Sequence, residues 1–300
     1  MSDWITARER GSSWTVNFMI RLCRRRHRWL VNLLLYPIAA YFFVTGRSAH
    51  RASRHFFMRA TGQARWLDYY RQLLCFSRCL VDRVALLSGA ADPFEVHSSG
   101  REVLMEARRD GRGLIMLGSH LGSFEACQLL ARKHMELDVH IVAYFAGSTR
   151  IRQALDAINP ALQHNIIDPT EPDAVFRMRD VIDSGGLLAI LGDRTGIGEK
   201  YAQVDFLGAP ACLPTGPYYL ASILQCPIVC FFGVRVDHDS YNTYAIKLTD
   251  RIRLARGRRE QQAQACAQQY ADLLADKARE YPYNWFNFYE FWNLPGDARP

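Results

Sequence analysis

The sequence predicts an α/β fold, a mostly parallel central sheet flanked by helices, with an N-terminal helical, membrane-associated segment. Three observations predict it. From about residue 96 onward, short apolar runs alternate with amphipathic stretches, the pattern of strands buried on both faces and covered by helices. Near the N-terminus, a sixteen-residue apolar run (29–44) stands among arginines. The 300 residues are 49% hydrophobic with only 12 Pro, enough chain for a full core and nothing of a disordered or low-complexity protein.

The N-terminal segment, 1–46, reads as a basic amphipathic membrane anchor. Residues 1–60 hold eleven Arg, no Lys and two acids, Asp3 and Glu9, for a charge of +9; the chain as a whole carries +7, so the remainder is slightly acidic. A basic tail on a near-neutral body points to an anionic partner of the N-terminus alone. As a helix the run from Trp29 to Val44 spans about 24 Å, short of the roughly 30 Å hydrocarbon core, and Pro37 is expected to kink it. Arginines flank both ends, at 21–28 and at Arg47, Arg51 and Arg54, so both prefer the same anionic face. A dip into one leaflet or an interfacial helix fits, with arginines snorkelling to phosphates; a tilted single span comes second. No small-residue cleavage site follows the run, so it does not read as a signal peptide.

Residues 47–300 read as the second, catalytic domain: helical over 47–92, an α/β core over 96–250, and a C-terminal helix and aromatic tail over 258–300. In the helical part, apolar residues such as Phe56, Phe57, Trp66, Tyr70, Leu73, Leu74 and Leu80 recur three and four apart. The core then offers strands at 113–118, 139–145, 186–193, 227–236 and 243–248. Helices are expected at about 123–134, 149–157, 172–183 and 216–225. A polar helix over about 258–280 precedes the tail. The eight cysteines lie mostly in apolar stretches with no CxxC pair, which reads as reduced, core-filling thiols.

The chemistry concentrates in Gly118-Ser119-His120-Leu121-Gly122-Ser123-Phe124-Glu125, between a predicted strand and a predicted helix. Ligands sit at the carboxyl ends of strands in open α/β sheets, so a histidine and an acid there are well placed. Five residues separate His120 from Glu125, about 140° out of register on one helix. They meet if His120 lies in the loop and Glu125 in the first turn, with Ser123 as cap. A neutral imidazole held by a carboxylate takes the proton of an alcohol as it attacks a carbonyl. On this pattern alone, a loop histidine bonded to a carbonyl and a capping glutamate serve equally well.

The HLGSFE stretch resembles the signature of a histidine followed, after four residues, by Asp or Glu in the lysophospholipid acyltransferase superfamily. The version it is closest to is that of bacterial lipid A biosynthesis (lauroyl/myristoyl) acyltransferases. The order GSHLGSFE, LGDRTG, FLGAPACLPTGPYYLA, CPIVCFFGVR over 113–236 is similar to that family's successive blocks. LLLYPIAAYFFVTGRSAHRAS and YNWFNFYEFW are similar to acyltransferases of aryl polyene and aminolipid pathways. The resemblance implies His120 as general base oriented by Glu125, acyl carrier protein thioester as donor with coenzyme A second, and no metal or other cofactor. It also implies a place on the cytoplasmic face of the bacterial inner membrane. Gly192-Asp193-Arg194 stands where an Asp-Gln-Asp type block is common, a departure that bears on the acceptor.

Further substrate-binding candidates follow from position. Gly122 and Ser123 supply loop amides for an oxyanion. Asp193 and Arg194 end a predicted strand beside the motif loop, where Arg194 suits a phosphate or carboxylate and a structural ion pair is the competing use. Thr215 and Gly216 open a helix whose amides suit an anion, or an ordinary cap. Arg150 is a candidate on the acceptor side, and the tail Tyr281–Trp292 suits either a functional face, as one wall of an acyl groove or the membrane-facing rim, or core packing.

GSHLG is not a nucleophile elbow, and no P-loop, HExxH or dinucleotide fingerprint is present. The activity the resemblance implies is O- or N-acyl transfer to a lipid-like acceptor, with acyl carrier protein as partner; the basic N-terminus adds anionic membrane lipids. A catalytically inactive membrane-binding scaffold of the same fold is the alternative. A nucleic-acid protein fits poorly, because the body is neutral and carries no binding module.

Overall fold

A computed structural model of the chain describes residues 28–87, 94–123, 138–143, 165–196 and 200–293. Three helices come first: α1 (Arg28–Thr45), α2 (Arg47–Thr61) and α3 (Asp68–Leu87). The chain continues through β1 (Glu95–Ser99), α4 (Arg101–Ala107), β2 (Leu114–Gly118), β3 (Val139–Val142), β4 (Ile166–Ile167), α5 (Ala174–Asp183) and β5 (Leu187–Leu191). Then follow β6 (Tyr201–Phe206), β7 (Ala209–Pro214), α6 (Gly216–Leu224), β8 (Ile228–Asp237), β9 (Ser240–Thr249) and α7 (Arg259–Glu280). The helices expected at 123–134 and 149–157 lie outside the described residues.

The main sheet has seven strands in the order β1-β9-β8-β2-β5-β3-β4. All neighbours pair in parallel except β8 and β9. The reason is the link: Asp237 pairs with Ser240, leaving a two-residue turn, and so short a connection makes only an antiparallel pair. Strand β2 is buried throughout and lies at the centre. Its side chains alternate between faces. Ile115 and Leu117 join a core with α2, α5, α6 and α7, while Leu114 and Met116 join a second core with α3, α4 and Phe286. This is the predicted mostly parallel sheet with helices on both faces.

A separate antiparallel hairpin, β6 with β7, was not legible as strands in the sequence reading. Strand β6 alternates exposed and buried, and its inward Ala202, Val204 and Phe206 pack beneath α7. Leu207 and Gly208 turn it with positive φ, 53° and 76°, the geometry of a tight hairpin turn.

Helix α1 is continuous through Pro37, and the sharp bend comes at Gly46, where α1 and α2 diverge by 93°. A side chain at Gly46 would meet the Phe42 carbonyl and the Tyr69 hydroxyl at 2.6 Å each, so the turn requires glycine. No single helix among the described residues is long and apolar enough to cross a membrane, although the bent pair together passes by length and composition. One stripe of α1, Val31, Leu35 and Ala39, is buried on Tyr69, Leu73, Leu74 and Val81 of α3. The remaining face leaves Trp29, Leu33, Leu34, Tyr36, Ile38, Tyr41 and Val44 exposed.

Candidate active site

The register of two central strands creates the site. Gly118 of β2 pairs with Leu191 of β5 in parallel, so the residues two positions on, His120 and Asp193, leave the sheet side by side. Both strand ends are tied down: the Gly118 carbonyl accepts from the Gly192 amide at 2.9 Å and from the Tyr270 hydroxyl of α7 at 2.7 Å.

The Asp193 carboxylate meets His120 twice. Oδ1 lies 2.9 Å from the ring Nδ1, and Oδ2 accepts the His120 backbone N–H at 2.9 Å. The Asp193 side chain is fully buried, whereas that of His120 is 28% exposed. Burial pushes the Asp193 acid upward, but the His120 charge and hydrogen bond, the nearby Arg194 and the Asn287 amide outweigh it and hold it at about 2. An ionised carboxylate on Nδ1 makes that nitrogen the N–H donor and leaves Nε2 as the basic one. Asp193, read from the sequence as a substrate contact, therefore faces inward to the imidazole. The acid bonded to Nδ1 is Asp193; Glu125 lies outside the described residues.

The loop after His120 is fixed at every amide. Leu121 N–H reaches Ser119 Oγ at 3.3 Å, Gly122 N–H donates to Asn284 O at 2.7 Å and Ser123 N–H to Gly233 O at 2.8 Å. Gly122, at φ 77°, passes so close to β8 that a Cβ would meet Gly233 O at 2.0 Å. The expectation that Gly122 and Ser123 offer amides to an oxyanion is thereby corrected. Their N–H groups stitch the loop to β8 and to the tail.

The tail itself is the wall behind the loop. Trp285 is fully buried, stacked on Phe56 at 5.2 Å and on Phe206 at 5.4 Å, and its carbonyl accepts from Gln72 of α3, which is bonded in turn to Ser53 of α2. Phe286 N–H donates to the His120 carbonyl at 2.8 Å. Asn284 exchanges hydrogen bonds with the Arg235 backbone, at 2.9 and 3.0 Å. Asn287 donates to Asp193 Oδ2 at 2.7 Å, and its own oxygen accepts from Arg194 Nε at 2.7 Å. Of the two uses open to the tail, core packing is the one seen for these residues. Asn284 and Asn287 went unnoticed in the sequence, where the only signal is two amides set in an aromatic run.

The other expected residues divide. Arg194 turns to the tail, with Nη2 3.3 Å from Phe286 O and its guanidinium 5.6 Å over the Tyr289 ring. Thr215 is buried, and both its amide and its hydroxyl donate to Lys200 O, so it caps β7 and does not present an amide to substrate. Gly216 is exposed at the start of α6. Because α6 leads into β8, parallel to β2, that start lies at the same carboxyl edge of the sheet as His120. Arg150 lies outside the described residues.

The arrangement is an imidazole held by a buried carboxylate at a strand end, with a hydrogen-bonded backbone around it. The family model described as bacterial lipid A biosynthesis acyltransferase matches residues 88–293, which contain every residue of the site. No curated protein matches the chain.

Proposed function

The chain belongs to the bacterial lipid A biosynthesis acyltransferase family, and from that premise we propose that it moves an acyl group from a thioester to a hydroxyl, or an amine, of a lipid-like acceptor, with His120 as general base. The observation that carries this reading is the His120–Asp193 contact, with one ring nitrogen occupied and the ring partly exposed. Nε2 takes the acceptor proton as the acceptor oxygen attacks the thioester carbonyl. The tetrahedral intermediate then collapses, the C–S bond breaks, and the thiolate leaves with the proton from Nε2. Asp193 keeps the proton on Nδ1 in the resting state and offsets the imidazolium charge during transfer. With the amides of 120–123 and 215 engaged, the Gly216 N–H is the remaining amide of those named from sequence for the oxyanion.

The proposal extends to the donor and the place of work. Acyl carrier protein is the donor carrier, and the protein works on the cytoplasmic face of the bacterial inner membrane. The exposed apolar face of α1 and the exposed Arg47, Arg51 and Arg54 of α2 support membrane binding: apolar side chains enter the leaflet and guanidiniums meet phosphates. The test is purified His120→Ala with an acyl carrier protein thioester and extracted lipid. A fall of about 10²–10⁴-fold in acyl transfer is expected. Parental activity in the variant would sink the mechanism, and no transfer by the parent itself would favour the scaffold of the same fold.

A further inference from the structure

We infer that Asn287 and Arg194 are positioning residues for the His120–Asp193 pair: Arg194 fixes the Asn287 amide, and the amide holds the Asp193 carboxylate aimed at Nδ1. The inference rests on the reaction proposed above. Arginine is donor-only, so the atom of Asn287 2.7 Å from Arg194 Nε is the amide oxygen. That choice turns the amide nitrogen toward Asp193 Oδ2, 2.7 Å away. Oδ2 then receives two N–H groups, from Asn287 and from the His120 backbone, while Oδ1 is left to Nδ1. A carboxylate gripped at one oxygen from two directions cannot rotate away from the ring.

Burial makes the grip consequential. Asn287 is 1% exposed and Asp193 0%, so water does not replace the amide if it is removed. Arg194 is itself held, by the Phe286 carbonyl and the Tyr289 ring, so the orientation of the amide is set by a side chain with its own anchors. The polar chain therefore runs Arg194 to Asn287 to Asp193 to His120. Its four members come from the loop after β2, the second and third residues after β5, and the tail. A merely structural amide would satisfy the buried carboxylate without affecting turnover.

The full chain in detergent, with the lauroyl thioester of acyl carrier protein as donor and extracted bacterial lipid as acceptor, provides the test. Asn287→Leu should lower kcat at least tenfold, leave KM for the thioester within twofold, and raise the Asp193 carboxyl titration, read by carbon NMR of labelled aspartate, by a pH unit or more. Arg194→Met, at a half-buried position, should move both readouts the same way and less far; it carries the test if Asn287→Leu does not fold. A folded Asn287→Leu protein with parental kcat and parental Asp193 titration overturns the inference. So does an equal rise in KM with the titration unchanged, which assigns Asn287 to binding. His120→Ala with parental activity defeats the reaction instead, and the Asp193 titration still reports on the clamp.

Discussion

Asp82 and Asp193 are both buried carboxylates, 3% and 0% exposed, and they do opposite things because of what faces them. Asp82, on α3, accepts from Arg235 Nε of β8 at 3.0 Å and from the Tyr241 hydroxyl of β9 at 2.7 Å. Burial disfavours the Arg235 charge, but Asp82 more than restores it and raises that basicity, while burial drives the Tyr241 phenol well above its ordinary range. One carboxylate thus holds an arginine and a phenol from two strands, and the cluster rivets α3 to the sheet. Asp193 faces a partly exposed imidazole, the kind of side chain that serves as acid and base. Equal burial of one residue type thus yields a fastener in one place and, in the reaction proposed, a proton-handling pair in the other.

The difference is open to attack, beginning with the fastener. Asp82→Ala leaves the Arg235 charge buried with no carboxylate and should cost about 3–5 kcal/mol of stability, measured by denaturant unfolding. Replacing both partners, Asp82→Leu with Arg235→Met, should recover much of that loss, because the cost lies in the orphaned charge. A single variant of parental stability would break the comparison on the Asp82 side.

On the other side the expected effect falls on rate. Asp193→Asn should reduce acyl transfer about a hundredfold with a cooperative unfolding transition retained, since the wrong tautomer of His120 is then favoured. Glu125→Gln measured beside it decides which acid serves the base. A larger loss in Glu125→Gln than in Asp193→Asn would return the role to the residue the spacing first suggested.

The smallest effect is on acid stability. Asp193 titrates at about 2 in the folded chain against 3.8 unperturbed, so it binds its proton less readily when folded. The sign follows: above about pH 4 the depressed acid contributes about 2 kcal/mol, and this is lost as pH falls through about 2. Unfolding free energy compared between about pH 6 and pH 2 should drop further in the parent than in Asp193→Asn. Parallel curves would show that the carboxylate gains nothing from its partners.

Much of this site was legible in sequence. The apolar runs at 113–118 and 186–193 are strands β2 and β5, and His120 stands two residues past the end of β2, as its place after an apolar run suggests. What the spacing did not reveal was the partner, because parallel pairing brings Asp193 to His120 across a sequence separation of 73, and local pattern weighs only the acid five residues away. Asn287 is more distant still, 94 residues from Asp193, and nothing in its own neighbourhood marks it. The β6–β7 hairpin was missed because its strands are short and half polar, with inward residues that find their core only under α7.

The position of the tail has a consequence for the order of synthesis. His120 and Asp193 emerge from the ribosome long before Phe286 and Asn287, the residues that grip the loop carbonyl and the carboxylate. A nascent chain stopped before residue 284 holds the base and the acid without the wall behind them. The arrangement around His120 is complete only once Asn284–Asn287 lie between α2, the β6–β7 hairpin and the strand ends, so the last part of the chain to be made closes the structure around the first.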